Sequence, residues 1–440
     1  MNNGEPAGSQ VASFDLSSFE KFERLSPKSL PDAGDWYDWK WQMKNRLASP
    51  EALARILPLR GKKGKLWLEG MKRASRLFRM AITPYYLSLI NPDDPDDPIA
   101  RQAIPSALET VTRPWEGDDP LDEEADASVT GLTHRYPDRV LMVTTNLCAM
   151  YCRHCTRKRK WRSPEGHASA QRVENMLGYV RRHPEIRDVI VSGGDPLILP
   201  LARLKDILVA LRKIPHVEII RIGTRVPVVL PMRIDDELLE VLDCAAPVWL
   251  NTQFNHPDEI TPESAAACEK IARAGVPIGN QTVLLRGVND CPTIMGRLCR
   301  ALLKIRVRPY HLFQCDPVSG IGHFRTNVGE GIRIIEALRG HTSGLAVPNF
   351  VIDAPGGAGK IPVGPNYMLS DCGSQVVLRN FEGIVLKYDN PPPVDHTGCP
   401  LCAGSGRSGV ASLLSGKKES LVPEGTHRLK RRRNADRHSI

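Results

Sequence analysis

Between residues 140 and 313 short β-branched runs alternate with amphipathic runs of helical period, and few folds accommodate that rhythm. Val140–Thr145, Asp188–Val191, Val217–Ile222, Val248–Asn251, Val276–Leu285 and Arg308–Phe313 read as strands. Arg172–Arg182, Pro200–Leu211, Asp235–Leu242, Pro262–Arg273 and Pro292–Ile305 read as helices between them, with a further helix over Gly329–Leu338. Six strand–helix units in succession imply a parallel sheet with right-handed crossovers, either doubly wound or closed towards a barrel. Six units are too few for eight-fold closure, so the expected architecture is α/β, a partial (β/α)6 barrel. Chemistry in such a sheet gathers where strands end and loops begin. Every expected strand end here carries small, polar or ligand-type residues. They are Cys148, Cys152 and Cys155, then Ser192-Gly193-Gly194-Asp195, Thr224-Arg225, Asn251-Thr252-Gln253, Asn280-Gln281 and Gln314-Cys315-Asp316.

The flanks differ in character. Residues 1–125 form an expected mainly helical region, rich in Trp and charge around Trp36–Trp41, interrupted at Asn91–Pro98 and closed by an acidic loop from Glu116 to Asp126. Residues 126–365 hold the barrel and 366–440 a C-terminal extension. No positively charged start with an apolar stretch behind it is visible, and no uncharged apolar run is long enough to cross a bilayer. Eleven cysteines, an odd number in a chain of 440 residues, fit metal-bound thiolates in a reducing cytoplasm better than a disulfide scaffold. The formal charge of +9 is concentrated in the tail, where the segment from Lys417 onward holds eight Lys or Arg against three Asp or Glu. Such a tail reads as solvated and weakly attracted to any polyanion. It does not by itself indicate specific nucleic-acid binding.

Residues 148–155 read Cys-Ala-Met-Tyr-Cys-Arg-His-Cys. Three thiolates on a short loop suit a four-iron cluster with one iron left open to a small chelator. Structural zinc ordinarily takes four protein ligands, and a redox pair would not need Cys148. Together with Thr145-Asn146-Leu147 before the loop, Thr156-Arg157-Lys158-Arg159 after it and Ser192-Gly193-Gly194-Asp195-Pro196, this segment resembles the radical S-adenosylmethionine superfamily. More narrowly it resembles the lysine 2,3-aminomutase family. That likeness extends from Trp39-Lys40-Trp41 through Arg79–Tyr86 and Gly131–Pro137 to Pro365-Asn366-Tyr367. The resemblance implies a partial barrel of radical S-adenosylmethionine type and a [4Fe–4S] cluster on Cys148, Cys152 and Cys155. It also implies S-adenosylmethionine chelating the open iron, and an external electron donor such as a flavodoxin or ferredoxin. The turn Ser192, Gly193, Gly194 and Asp195 suits a ligand physically, because bare glycine backbone permits close approach and Asp195 can accept from an amine or hydroxyl.

Residues 353–361 read Asp-Ala-Pro-Gly-Gly-Ala-Gly-Lys-Ile. A phosphate-cradling P-loop fails on Ala354, where a glycine is needed, and on Ile361, where Ser or Thr should reach magnesium. A glycine-rich approach to one lysine suits a Schiff base with an aldehyde cofactor. The resemblance makes Lys360 the pyridoxal 5′-phosphate lysine and Arg135, Tyr136 and Arg139 its phosphate-binding partners, with Gln281 a further polar candidate.

The resemblance also places Asp316 and Asp353 on the distal ammonium of a substrate and Arg157 on its α-carboxylate. Paired acids in a buried site favour a cation, and a guanidinium fits a carboxylate bidentately. The implied activity is that of an isomerase moving the α-amino group of a basic amino acid, L-lysine first and L-arginine as the alternative, to the β-carbon. Gln253 stands where lysine enzymes of the family commonly carry His, and Pro317-Val318 after Asp316 also depart from the pattern. Cys399 and Cys402 near His396 form half a zinc site. By resemblance Cys291 of a neighbouring copy completes it, implying a homo-oligomer. Cys244, Cys268, Cys299 and Cys372 read as core residues.

Overall fold

The computed structural model of the chain describes residues 36–57, 61–391 and 431–432. Ten strands form one sheet whose spatial order is the chain order. They are β1 (Ala127–Val129), β2 (Leu132–Tyr136), β3 (Arg139–Val143), β4 (Asp188–Ser192), β5 (Ile219–Gly223), β6 (Val248–Thr252), β7 (Ile278–Leu284), β8 (Val307–Gln314), β9 (Asn349–Ala354) and β10 (Gly359–Pro362). From β3 to β9 every neighbouring pair is parallel. At one edge β1 and β2 add antiparallel to β3, and at the other β10 folds back antiparallel on β9.

All six expected strands are present, and β9 adds a seventh parallel strand that follows the expected last helix, Val328–Leu338. Of the crossover helices Ala170–Arg182, Leu201–Arg212, Asp236–Asp243, Pro262–Arg273 and Pro292–Lys304, the first, third and fourth start on a side-chain cap. Ser169 accepts from Arg172 N, Asp235 from Leu238 N, and Thr261 exchanges bonds with Ser264 behind Pro262 at the first helical position. Their apolar stripes pack on the outer face of the sheet, as Met176, Leu177 and Val180 do in the same core as Val189, Val191, Ile220 and Ile222. Burying these side chains stabilises the layer by roughly 1.5–3 kcal/mol each.

The barrel is not closed by strand pairing. Its two ends meet through side chain and loop instead: Lys360 N donates to the Tyr136 hydroxyl at 2.9 Å, and Gly356 N to Pro120 O at 2.9 Å.

The N-terminal helices Trp39–Lys44, Pro50–Ile56, Gly61–Leu77, Pro84–Ser88 and Pro98–Ala103 lie beneath the cysteine loop. Tyr151 N donates to Ala81 O at 3.1 Å, Arg153 N to Gln102 O at 2.8 Å and Arg46 Nη1 to Cys148 O at 2.6 Å. The fully buried Arg153 and Lys158 share Glu109, at 2.6 and 2.8 Å. One carboxylate from the N-terminal region thus fixes the loop from within. Residues 368–389 form a separate three-stranded antiparallel sheet, β11 (Met368–Asp371), β12 (Gln375–Arg379) and β13 (Val385–Asp389). Cys268 and Cys299 are buried as expected, whereas Cys244 and Cys372 are exposed. Cys244 falls on a helix C-cap and Cys372 on the turn between β11 and β12, positions that face water. Among the described residues no helix is long and apolar enough to cross a membrane.

Candidate active site

The C-terminal strand ends and the inner face of the sheet enclose a cavity of ≈ 340 Å³. It brings together Cys148, Cys152, Cys155, Arg157, Ser192, Gly193, Gly194, Asp195, Arg135, Tyr136, Arg139, Gln281, Asp316, Asp353 and Lys360. Every expected site residue that lies within the described part is there except Cys291, while His396, Cys399 and Cys402 fall outside the described residues.

The cysteine loop and the end of β4 touch backbone to backbone. Gly194 N donates to Thr145 O at 2.6 Å and Asp195 N to Leu147 O at 2.8 Å. Neither glycine has room for a side chain: a Cβ on Gly193 would sit 2.3 Å from Thr145 O, and one on Gly194 2.1 Å from Leu147 O. Gly193 also has φ +143°, a conformation that favours glycine. Burial pushes the Cys148 thiol well above its usual range, and Cys155 adds to this; burial likewise lifts Cys155 to about 11. Thiolates here therefore need a positive partner that protein groups supply only in part. Among the described residues no three Cys, His, Asp or Glu side chains close on a single ion. Three thiols line one cavity, an arrangement that suits an iron–sulfur cluster held by cysteine thiolates.

Asp195 is turned inward. Its oxygens accept from the Thr224 hydroxyl at 2.7 Å, Arg225 N at 2.7 Å and Leu197 N at 3.1 Å. Burial lifts its carboxyl to about 6 against those bonds. Asp195 accordingly ties β4 to the end of β5, while Gly193 and Gly194 pack against the backbone of the cysteine loop.

At the far end of the cavity, Lys360 stands directly across the β9–β10 hairpin from Asp353, its Nζ 2.9 Å from Oδ1 and 3.1 Å from Oδ2. Asp316, at the end of β8, is 9% exposed, and burial with the nearby Asp353 raises its carboxyl to about 7. Arg135 donates through Nε to Asp126 at 3.0 Å and through Nη2 to Leu121 O. The Arg139 guanidinium lies 4.5 Å from the Tyr136 ring centroid. A phosphorylated aldehyde fits this end: an amine, two guanidinium groups and a phenol face one space. His311 adds an imidazole whose buried Nδ1 has no hydrogen-bond partner among the described residues.

The arginine expected on the α-carboxylate already holds a carboxylate of the chain. Arg157 grips Glu123 through Nε (3.0 Å) and Nη2 (2.7 Å), and Arg159 adds a bond of 2.9 Å. Burial works to raise the Glu123 carboxyl, but the two arginines outweigh it and hold it at about 2. Glu123 was not singled out from the sequence, because it looked like one more charge of the solvated acidic loop. The tail likewise differs from expectation where it is described. Arg432 Nε lies 2.8 Å from Asp126, and Arg431 donates to His134 O at 2.9 Å. Asp126 therefore stands between Arg135 and Arg432, and the acidic loop supplies an anion to the described part of the basic tail.

A family profile described as Radical SAM superfamily matches residues 142–295, and one described as Lysine-2,3-aminomutase matches residues 335–439. The L-lysine 2,3-aminomutase of Clostridium subterminale is 52% identical over 410 residues, covering 92% of this chain and 97% of its own length. Its counterpart from Acetoanaerobium sticklandii is 51% identical over 401 residues, covering 90% and 96%. The glutamate 2,3-aminomutase of Clostridioides difficile is 47% identical over 361 residues, covering 82% and 84%.

Proposed function

The chain belongs to the lysine 2,3-aminomutase family of radical S-adenosylmethionine enzymes, which are isomerases, and on that premise we propose that it converts L-lysine to L-β-lysine. The observation that carries the choice of lysine is the pair of buried acids, Asp316 and Asp353, beside Lys360. When bound, the cluster with S-adenosylmethionine supplies the hydrogen-abstracting radical, and pyridoxal 5′-phosphate the conjugated system that carries the migrating nitrogen.

Cys148, Cys152 and Cys155 would hold the cluster, and the close packing of Gly193 and Gly194 on the loop would hold those cysteines in place. Lys360 would hold the aldehyde, with Arg135, Tyr136 and Arg139 on its phosphate and Gln281 at the rim. Arg157 receives the α-carboxylate on the guanidinium edge that Glu123 leaves open. Charge counting suits a basic substrate. With a basic substrate in the cavity, two cations, the Lys360 amine and the distal ammonium, would face the two carboxylates of Asp316 and Asp353. An anionic side chain would instead meet like-charge repulsion on the order of 1–4 kcal/mol from each acid. Arginine, with its own distal cation, satisfies the same count.

Zinc shared between copies, on Cys291 of one and His396, Cys399 and Cys402 of the next, would make the enzyme a homo-oligomer. Cys291 is partly exposed at the start of the helix Pro292–Lys304, where the N–H groups of Ile294 and Thr293 lower its thiol pKa. The free cysteines fit a reducing cytoplasm with a flavodoxin or ferredoxin as electron donor. The decisive experiment incubates reduced protein with S-adenosylmethionine, pyridoxal 5′-phosphate and lysine, arginine or glutamate separately, and identifies β-amino products. β-Lysine as the main product supports the reading. Turnover of glutamate in preference to lysine ends it.

A further inference from the structure

Arg225, at the end of β5, is a buried cation that the reaction as described does not use. Its side chain is 6% exposed. Nε donates to Gln253 O at 3.1 Å, and Nη2 to Gln102 Oε1 at 2.6 Å and Glu259 Oε1 at 2.7 Å. Nη1 points at Cys152 Sγ from 2.8 Å. Both ends of the residue are fixed. Its backbone N–H donates to Asp195 at 2.7 Å, and Glu259, fully buried, also accepts from the Tyr86 hydroxyl at 2.7 Å and from His256 N at 3.0 Å. Tyr86 and Gln102 come from the N-terminal helices, so that region reaches the sulfur through this arginine.

The three oxygen acceptors hold the guanidinium without help from the thiol. Its remaining nitrogen is nevertheless aimed at one cysteine. The other short contact to a ligand sulfur is a neutral backbone donor, Arg157 N to Cys155 Sγ at 3.3 Å. A charged donor on one thiolate stabilises the more electron-rich state of a cluster, because reduction adds negative charge to the sulfurs. Glu259 acts in the opposite sense, offsetting that charge from the far side of the guanidinium.

We infer that Arg225 is a positioning residue that raises the reduction potential of the cluster by donating to Cys152, and that Glu259 sets how much of its charge the cluster feels. This rests on the reading of Cys148, Cys152 and Cys155 as cluster ligands.

The test uses full-length protein, reconstituted anaerobically, with the midpoint potential read by electron paramagnetic resonance in a dye-mediated titration without S-adenosylmethionine. Arg225→Gln is expected to lower the potential by about 59 mV, a tenfold change in the reduced-to-oxidised ratio of a one-electron couple. Glu259→Gln is expected to shift it in the positive direction. Opposite signs are the signature, since general loosening of the loop would move both variants the same way. An unchanged potential in iron-replete Arg225→Gln, or a negative shift in Glu259→Gln, overturns the inference. Should Arg225→Gln fail to retain iron, the sign of the Glu259→Gln shift decides alone. Absence of iron from the parent protein would remove the cluster reading itself, whereas a parent with its cluster and unmoved variants would remove only the role of Arg225.

Discussion

Lys360 and Asp353 are direct partners across the β9–β10 hairpin, with the lysine Nζ 2.9 Å from Asp353 Oδ1. Residues facing each other in an antiparallel pair project to the same side of the sheet. The register alone therefore puts amine and carboxylate in one space. Lys360→Ala is expected to abolish the borohydride-stable label that pyridoxal 5′-phosphate leaves on the parent. Asp353→Asn should keep the label but lose roughly tenfold to a hundredfold in kcat/KM for lysine, the worth of a charged hydrogen bond. Full retention of activity by Asp353→Asn would contradict its role.

Asp316 gives the site a pH dependence whose sign is fixed. Its carboxyl is raised to about 7 in the folded chain. The stabilisation this brings is present below the unfolded value and lost as pH rises through about 7. Binding a cation needs the ionised form, so the apparent affinity for lysine should improve about fivefold from pH 6 to pH 7, gain about twofold more by pH 8 and then level off. For the same reason lysine should raise the melting temperature more at pH 8 than at pH 6. Asp316→Asn should bind weakly at every pH, with this slope gone; an unaltered slope would assign the dependence to another group.

Glu123→Gln tests the acidic loop. Removing one partner from a largely buried ion pair costs on the order of 3 kcal/mol, and here two arginines lose it. The urea midpoint should fall, and KM for the amino acid should rise several-fold with a smaller change in kcat, because Arg157 loses its fixed edge. A lower KM would instead mean that Glu123 competes with the substrate. Since its carboxyl is lowered from 4.5 to about 2, the stability it contributes is fully present above the unfolded value and is lost progressively as pH falls from there through about 2.

Gly194→Ala places a methyl 2.1 Å from Leu147 O. Backbone cannot yield as a flexible side chain does, and overpacking of this kind costs about 1–3 kcal/mol or more. The cysteine loop should shift, with reconstituted iron per chain falling well below the parent's while the far-ultraviolet spectrum is kept. Normal iron content would show that the close approach is not needed.

The six parallel strands from Arg139 to Gln314 were legible because buried β-branched runs alternate with capped amphipathic helices. The seventh, Asn349–Ala354, was read for the chemistry of Asp353 and Lys360 rather than for its Phe350-Val351-Ile352 run. The rim residues were legible as polar punctuation at strand ends. That Asp316 and Asp353 share a space was accessible only through resemblance, since nothing in local pattern says which strand ends face each other. Glu123 and Glu259 were illegible, and Arg225, legible as polar punctuation at the rim, gave no sign of the partners it takes. Each looks like an ordinary charge until the fold removes its water, and only then does the partner it must find become part of the site.

The order of strands in the sheet also orders events in time. Cys155 precedes Lys360 by 205 positions, which at about 5–20 residues per second is roughly ten to forty seconds of synthesis. Once Gly194 is made, 166 positions before Lys360, a growing chain holds all three thiols, the Gly193–Gly194 turn and the helices beneath them. It still lacks the lysine, its facing aspartate and the bond to Tyr136 that joins the two ends of the sheet. Synthesis thus completes the thiol side of the cleft before its lysine side, so the assembly of this site has a direction written into its topology.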